Sequence, residues 1–118
     1  MNIQTFSKLT KVSAHTLRYY EKIGLIKQIE RNTSGHRYFT QKDIVWVEFI
    51  KRLKDTGMPL KQILSYAELR EQGESTATAR MKMLKLHAQA LQEKIALEQL
   101  NLEMLKAKIV HYDEIINA

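Results

Sequence analysis

The chain has 118 residues, no cysteine, and 19 Lys or Arg against 13 Asp or Glu, a formal net charge of +6. A domain this small leaves a marginal core, so oligomerisation is the expected support, and no disulfide framework, thiolate metal site or thiol switch is available. No apolar run approaches the about 20 residues that span a bilayer, and the opening MNIQTFSKL lacks the basic segment and long hydrophobic core of a signal peptide; a cytoplasmic protein without membrane contact is expected.

The charge is unevenly spread. Residues 1–54 hold 11 Lys or Arg against 4 Asp or Glu, whereas residues 55–118 hold 8 against 9. A basic end joined to a nearly neutral one is the pattern of a head that meets a polyanion and a tail that meets protein.

In chain order, Asn2 is placed to cap a first short helix in which Ile3, Phe6 and Leu9 recur at helical spacing. Thr10-Lys11-Val12 forms the turn to a second helix capped by Ser13. There Leu17 and Tyr20 share one face, while His15, Thr16, Arg18 and Tyr19 point away from it. Gly24 ends that helix, and Val12 and Leu25 flank it with further apolar surface. The pair reads as a helix-turn-helix with an outward polar reading face.

From Ile26 to Phe39 two short extended runs flank Arg31-Asn32-Thr33-Ser34-Gly35, a turn in which Gly35 supplies a positive φ. In such a hairpin Arg37 and Phe39 share one face and His36 and Tyr38 the other, so the wing presents arginine while an aromatic ring anchors it. A guanidinium suits phosphate because its planar fork donates two parallel hydrogen bonds. For Arg18 and Arg37 the competing reading is a structural ion pair to Glu21 or Glu30.

Thr40-Gln41-Lys42-Asp43 has the spacing of a capping box and opens a third helix through Ile44, Val47, Ile50 and Leu53, broadened by Trp46 and Phe49. Gly57 ends it. Pro59 suits the first turn of a fourth helix, and Leu60, Ile63, Leu64 and Ala67 fit its buried face. Lys54 and Lys61 flank this corner, where they could add phosphate contacts beside a helix N-terminus.

After the polar break Glu71-Gln72-Gly73-Glu74, Ser75 or Thr76 can cap a helix running to about residue 115. Its apolar positions alternate by three and four: Met81, Leu84, Ala88, Leu91, Ile95, Leu102, Leu105, Ile109, Tyr112 and Ile116, with Glu98 the exception. A helix of about 40 residues is about 60 Å long, more than a head of about 70 residues can cover, so a second copy is the natural partner. Leu84, Leu91, Ile95, Leu102, Leu105 and Ile109 are the expected dimerisation contacts. Glu98 either sets register or lies where two antiparallel helices diverge.

The chain resembles the MerR family of bacterial transcription regulators. The resemblance is carried by Thr16-Leu17-Arg18-Tyr19-Tyr20-Glu21, Gly24-Leu25-Ile26, Arg31, Ser34-Gly35-His36-Arg37-Tyr38-Phe39 and the Thr56-Gly57-Met58-Pro59-Leu60 corner. It implies a mainly α fold: a winged helix-turn-helix DNA-binding head over residues 1–70, a linker at 71–76, and an antiparallel coiled-coil dimerisation helix over 77–118. It also implies base contacts from His15 and Thr16, phosphate contacts from Arg18, Tyr19, Arg37 and Lys54, and a wing buttressed by Tyr38. His36 stands where relatives often carry tyrosine and is counted with the wing contacts. The implied mechanism is a homodimer on an inverted repeat that distorts an overlong promoter spacer so that RNA polymerase engages both promoter elements.

The remaining features point nowhere else. His15, His36, His87 and His111 are scattered without a helical i, i+4 partner, so no metal is expected, and Met58, Met81, Met83 and Met104 read as gap-filling apolar residues. No phosphate loop, nucleophile elbow or paired catalytic carboxylates occurs, so neither enzyme activity nor a cofactor is expected. With the sequence stopping at Ala118, no effector domain is expected after the long helix, and Arg52 stands where a sensing cysteine of short relatives would fall. Either a small pocket around Tyr66, Leu69 and Met83 reads a signal, or none is read. The alternative function is an architectural, excisionase-like DNA-bending module, which would not need so long an arm.

Overall fold

The computed structural model describes residues 1–27 and 30–118; Gln28 and Ile29, within the first predicted extended run of the wing, lie outside the described residues. The chain divides into two units, Met1–Arg80 and Met81–Ala118.

In the first unit, α1 (Ile3–Thr10) and α2 (Ala14–Lys22) begin as their caps dictate. The Asn2 side chain accepts from Thr5 N at 2.9 Å and Ser13 Oγ accepts from Thr16 N at 3.1 Å. Between them Lys11 adopts φ 58°, the one non-glycine positive φ among the described residues, which turns the chain within a single residue. Lys51 from the third helix donates to the Thr10 carbonyl at 2.7 Å, meeting an α1 terminus that lacks partners of its own.

The hairpin pairs β1 (Glu30–Arg31) with β2 (Arg37–Tyr38) antiparallel, Glu30 opposite Tyr38 and Arg31 opposite Arg37. Its turn is tied by the Asn32 side chain, which accepts from the backbone N–H of Ser34 and of His36, both at 3.0 Å. Gly35 takes φ +79° as its place in the turn requires. Phe39 then enters the core against Phe6, ring centroids 4.2 Å apart, and exchanges two backbone hydrogen bonds of 2.7 Å with Met1. The end of the wing is therefore bonded to the start of α1.

The capping box of α3 (Gln41–Asp55) forms: Asp43 Oδ2 accepts from Thr40 N at 2.9 Å. Trp46, Val47, Ile50 and Leu53 are buried, and Trp46 Nε1 donates to the Leu25 carbonyl at 2.9 Å, satisfying a donor that burial would otherwise strand. Helix α4 (Leu60–Glu71) stacks Tyr66 on Trp46 at 6.0 Å, and the Arg70 guanidinium lies 4.2 Å from the same indole.

Four expectations need correction. Leu9 is 56% exposed; the positions turned inward on α1 are Phe6 and Thr10, whose hydroxyl donates to the Phe6 carbonyl and so enters the core satisfied. The buried face of α4 is Ile63, Tyr66 and Ala67, with Leu60 exposed, because Tyr66 is drawn onto Trp46. Pro59 is the N-cap of α4 and lies outside its first turn. Thr76 does not cap the long helix. It belongs to a 3₁₀ turn, Glu74–Thr76, and donates to the carbonyls of Leu69 at 2.6 Å and Gly73 at 2.8 Å, while its oxygen accepts from Arg80 Nε at 3.0 Å.

Taken by itself, α5 (Ala77–Ile116) is one unbroken helix of 40 residues, about 60 Å long. None of its side chains is buried. No helix among the described residues is long and apolar enough to cross a membrane.

Candidate nucleic-acid interface

Packing of Leu17 and Tyr20 into the core fixes the rotation of α2 and so decides which side chains it shows to solvent. His15, Arg18 and Tyr19 are exposed and Thr16 is half-buried. The Thr16 hydroxyl accepts from Ser13 Oγ at 2.9 Å, which leaves its own proton free to donate.

The wing stands beside this face. A groove of about 640 Å³ runs between the start of α1, Arg18 of α2 and the hairpin, lined among others by Asn2, Gln4, Arg18, Arg31, His36, Arg37 and Tyr38. Three arginines thus line one concave surface. Two of them are held by one carboxylate: Arg37 Nε lies 2.9 Å from Glu21 Oε2, and Arg31 Nη2 lies 3.4 Å from Glu21 Oε1. Arg18 has no ion pair among the described residues. Three cations against one acid leave the groove strongly positive, as a surface for phosphate oxygens must be.

The predicted contact residues therefore separate into groups. Arg18, His36, Arg37 and Tyr38 line one groove, while His15, Thr16 and Tyr19 lie on the adjoining outward face of α2. Lys54 stands apart: its ammonium donates to the Tyr20 hydroxyl at 2.9 Å and lies 5.4 Å from that ring, so the link ties α3 to α2 and leaves two donors for other partners. The ion pair weighed for Arg37 is present, to Glu21; Arg18 does not form one. The ring that anchors the wing is that of Phe39, 2% exposed, whereas Tyr38 is 50% exposed. Arg31, Asn2 and Gln4 were not among the predicted contacts. Register alone could have found Arg31, since it faces Arg37 across the hairpin.

A protein-family model described as "MerR HTH family regulatory protein" matches residues 1–69, and a second, "MerR, DNA binding", matches residues 44–112. The HTH-type transcriptional regulator AdhR of Bacillus subtilis is 39% identical over 93 residues, 79% of this chain and 66% of AdhR, so the chain spans just under two thirds of that relative. Among solved structures, a MerR family transcriptional regulator from Listeria monocytogenes superposes with a TM-score of 0.89 at 39% identity, covering 96% of this chain and 86% of the other. HiNmlR, described as a MerR family regulator lacking the sensor domain and crystallised bound to promoter DNA, gives 0.86 at 32% identity, covering 96% and 90%. These matches decide against the excisionase-like alternative. The chain belongs to the MerR family of DNA-binding transcription regulators.

Proposed function

We propose that this chain acts in the cytoplasm as a homodimer that binds promoter DNA and distorts the spacer between promoter elements so that RNA polymerase engages both. In each head, residues 1–70, His15 and Thr16 of α2 meet base edges in the major groove; Arg18, Tyr19, His36 and Arg37 meet the neighbouring phosphates, with Lys54 beside them. Residues 71–76 link the head to the dimerisation helix. The observation that carries this reading is the convergence of Arg18 with the wing arginines on one groove next to the outward face of α2. A single head contacting both base edges and phosphates has the chemistry of an operator-reading module. The similar MerR family regulator crystallised bound to promoter DNA supports the same reading.

The dimer is carried by Leu84, Leu91, Ile95, Leu102, Leu105 and Ile109 of α5. Charge favours the antiparallel arrangement. Residues 81–97 hold three Lys against one Glu, and residues 98–116 hold two Lys against four Asp or Glu, so antiparallel packing sets each basic half against an acidic one. Bending a site costs on the order of 1–6 kcal/mol, and two heads that each hold phosphates from a helix and a wing can offset it.

Footprinting of the purified protein on DNA flanking its own gene tests the class. The expected result is protection of an inverted repeat between two promoter hexamers set farther apart than usual; protection without dyad symmetry, or none, overturns the proposal. In the same assay Arg18→Ala is expected to weaken binding on all sequences and to lower the slope of log K against log salt by about 1 for each phosphate that Arg18 neutralises. An unchanged slope would remove Arg18 from the phosphate set. Substitution of His15 or Thr16 should instead change which sequence is preferred.

A further inference from the structure

Arg31 and Arg37 sit directly opposite each other in the hairpin, a pairing of like charges that destabilises a two-stranded ladder. The acid that relieves it comes from another element. Glu21, in the last turn of α2, accepts from Arg37 Nε at 2.9 Å on one oxygen and from Arg31 Nη2 at 3.4 Å on the other. Arg31 donates onward through Nη1 to the Gly35 carbonyl at 3.1 Å, so a continuous set of contacts runs from the reading helix through both strands to the turn. These are the only ion pairs among the described residues that join the strands to α2.

A glutamate is poorly suited to this place on electrostatic grounds alone. It lies in the C-terminal turn of a helix, where the backbone dipole disfavours negative charge, and it borders a surface that meets phosphates. Its side chain is 25% exposed, and its two carboxylate oxygens face the two arginines.

We infer that Glu21 is a positioning residue for DNA recognition. Its carboxylate fixes the wing relative to α2, so that the base-reading and phosphate-holding groups fit one duplex together. This rests on the DNA-binding reading above. It also opposes a simple charge argument, which predicts that removing an acid beside DNA tightens binding to every sequence.

The test is fluorescence anisotropy across a salt series, with two labelled duplexes: one selected by the wild-type protein from a random pool, and a scrambled duplex of the same length. Failure of the wild-type protein to select any duplex would sink the DNA reading before Glu21 is altered. Given a selected duplex, Glu21→Gln is expected to lower its affinity about tenfold, the scale of a charge-assisted hydrogen bond, while scrambled DNA binds as well as or better than before. Glu21→Asp keeps the charge but shortens the reach, and should lose affinity for the selected duplex in the same direction. The loss in a Glu21→Gln, Arg37→Ala double variant should fall short of the sum of the single losses, because one substitution removes the other's partner.

Should Glu21→Gln lose its helical signal, Arg37→Lys carries the test. It retains a cation for phosphate but lacks the Nε that Glu21 grips, and a selective loss on the chosen duplex is expected. The inference is overturned if Glu21→Gln binds the selected duplex as tightly as wild type, if Glu21→Asp is indistinguishable from wild type, if both duplexes lose affinity equally, or if the double variant is additive.

Discussion

Phe6→Ala is expected to destabilise the head by about 3–5 kcal/mol, the usual cost of truncating a fully buried phenylalanine. Phe6 is 0% exposed, and its ring lies 4.2 Å from that of Phe39 at an interplanar angle of 54°. Deleting it removes apolar area and an aromatic pair, and it also strips the core packing from the residue that roots the wing. Phe39 would keep its two backbone bonds to Met1 but lose the ring that seats it. Total stabilities of about 5–15 kcal/mol are usual for a domain, so the variant should sit near the edge of folding. The measurement is urea denaturation at fixed protomer concentration, followed by Trp46 fluorescence and helical signal, because the stability of any self-associating chain depends on concentration. The control is Leu9→Ala, three residues along α1 and 56% exposed, which should shift stability by less than about 0.5 kcal/mol. Equal losses from the two substitutions would show the core of α1 to be wrongly assigned.

That contrast also marks where the sequence stops being legible. Caps were readable because the side chain and the amides it meets are within three residues: Asn2 with Thr5, Ser13 with Thr16, Thr40 with Asp43. The outward face of α2 followed from period alone. Leu9 and Leu60 were misread because a spacing rule cannot tell which of two neighbouring stripes meets the core. That is decided at long range, by Phe39 on Phe6 and by Tyr66 on Trp46. Thr76 looked like a cap because threonine before a helix usually is one, yet its hydroxyl is engaged by carbonyls at the end of α4. No local pattern announces that.

In the candidate interface the residue types were legible and their partnerships were not. Arg18, Arg37, His36 and Tyr38 were selected by composition and motif, and the fold gathers them on one groove. Which arginine is engaged depends on the twist of a hairpin beside a helix end, and the structure gives Glu21 to Arg31 and Arg37 and not to Arg18. An arginine already gripped by an acid is pre-oriented and gives up less side-chain freedom when it meets a phosphate, whereas an unpaired one surrenders more and gains more charge compensation. The groove holds both kinds.

Replacing Leu91 and Leu102 together by aspartate is expected to yield monomers at micromolar concentration and to reduce operator affinity by at least about a hundredfold. Neither residue is fully buried in the single chain, and Ile95, Leu102, Leu105 and Ile109 are 43–66% exposed, so the apolar row on α5 is a surface that water penalises. Two copies packed along it would remove the row from solvent; a pair of carboxylates in the seam would have to be desolvated without partners, which costs more than the packing returns. The loss on DNA follows from geometry. Joined heads bind the second half-site intramolecularly, an advantage of about 10² to 10⁴, and separate heads forfeit all of it while each keeps its own base and phosphate contacts. The double variant should therefore retain weak, salt-sensitive binding to any duplex and lose the symmetric footprint. Leu100→Gln supplies the control, since position 100 lies midway between seam positions 98 and 102, on the side of the helix turned away from the row. That variant should remain dimeric by light scattering and keep its operator affinity. A dimer that survives aspartate at both seam positions, or one that dissociates with Leu100→Gln alone, would place the interface between copies on a different face of α5.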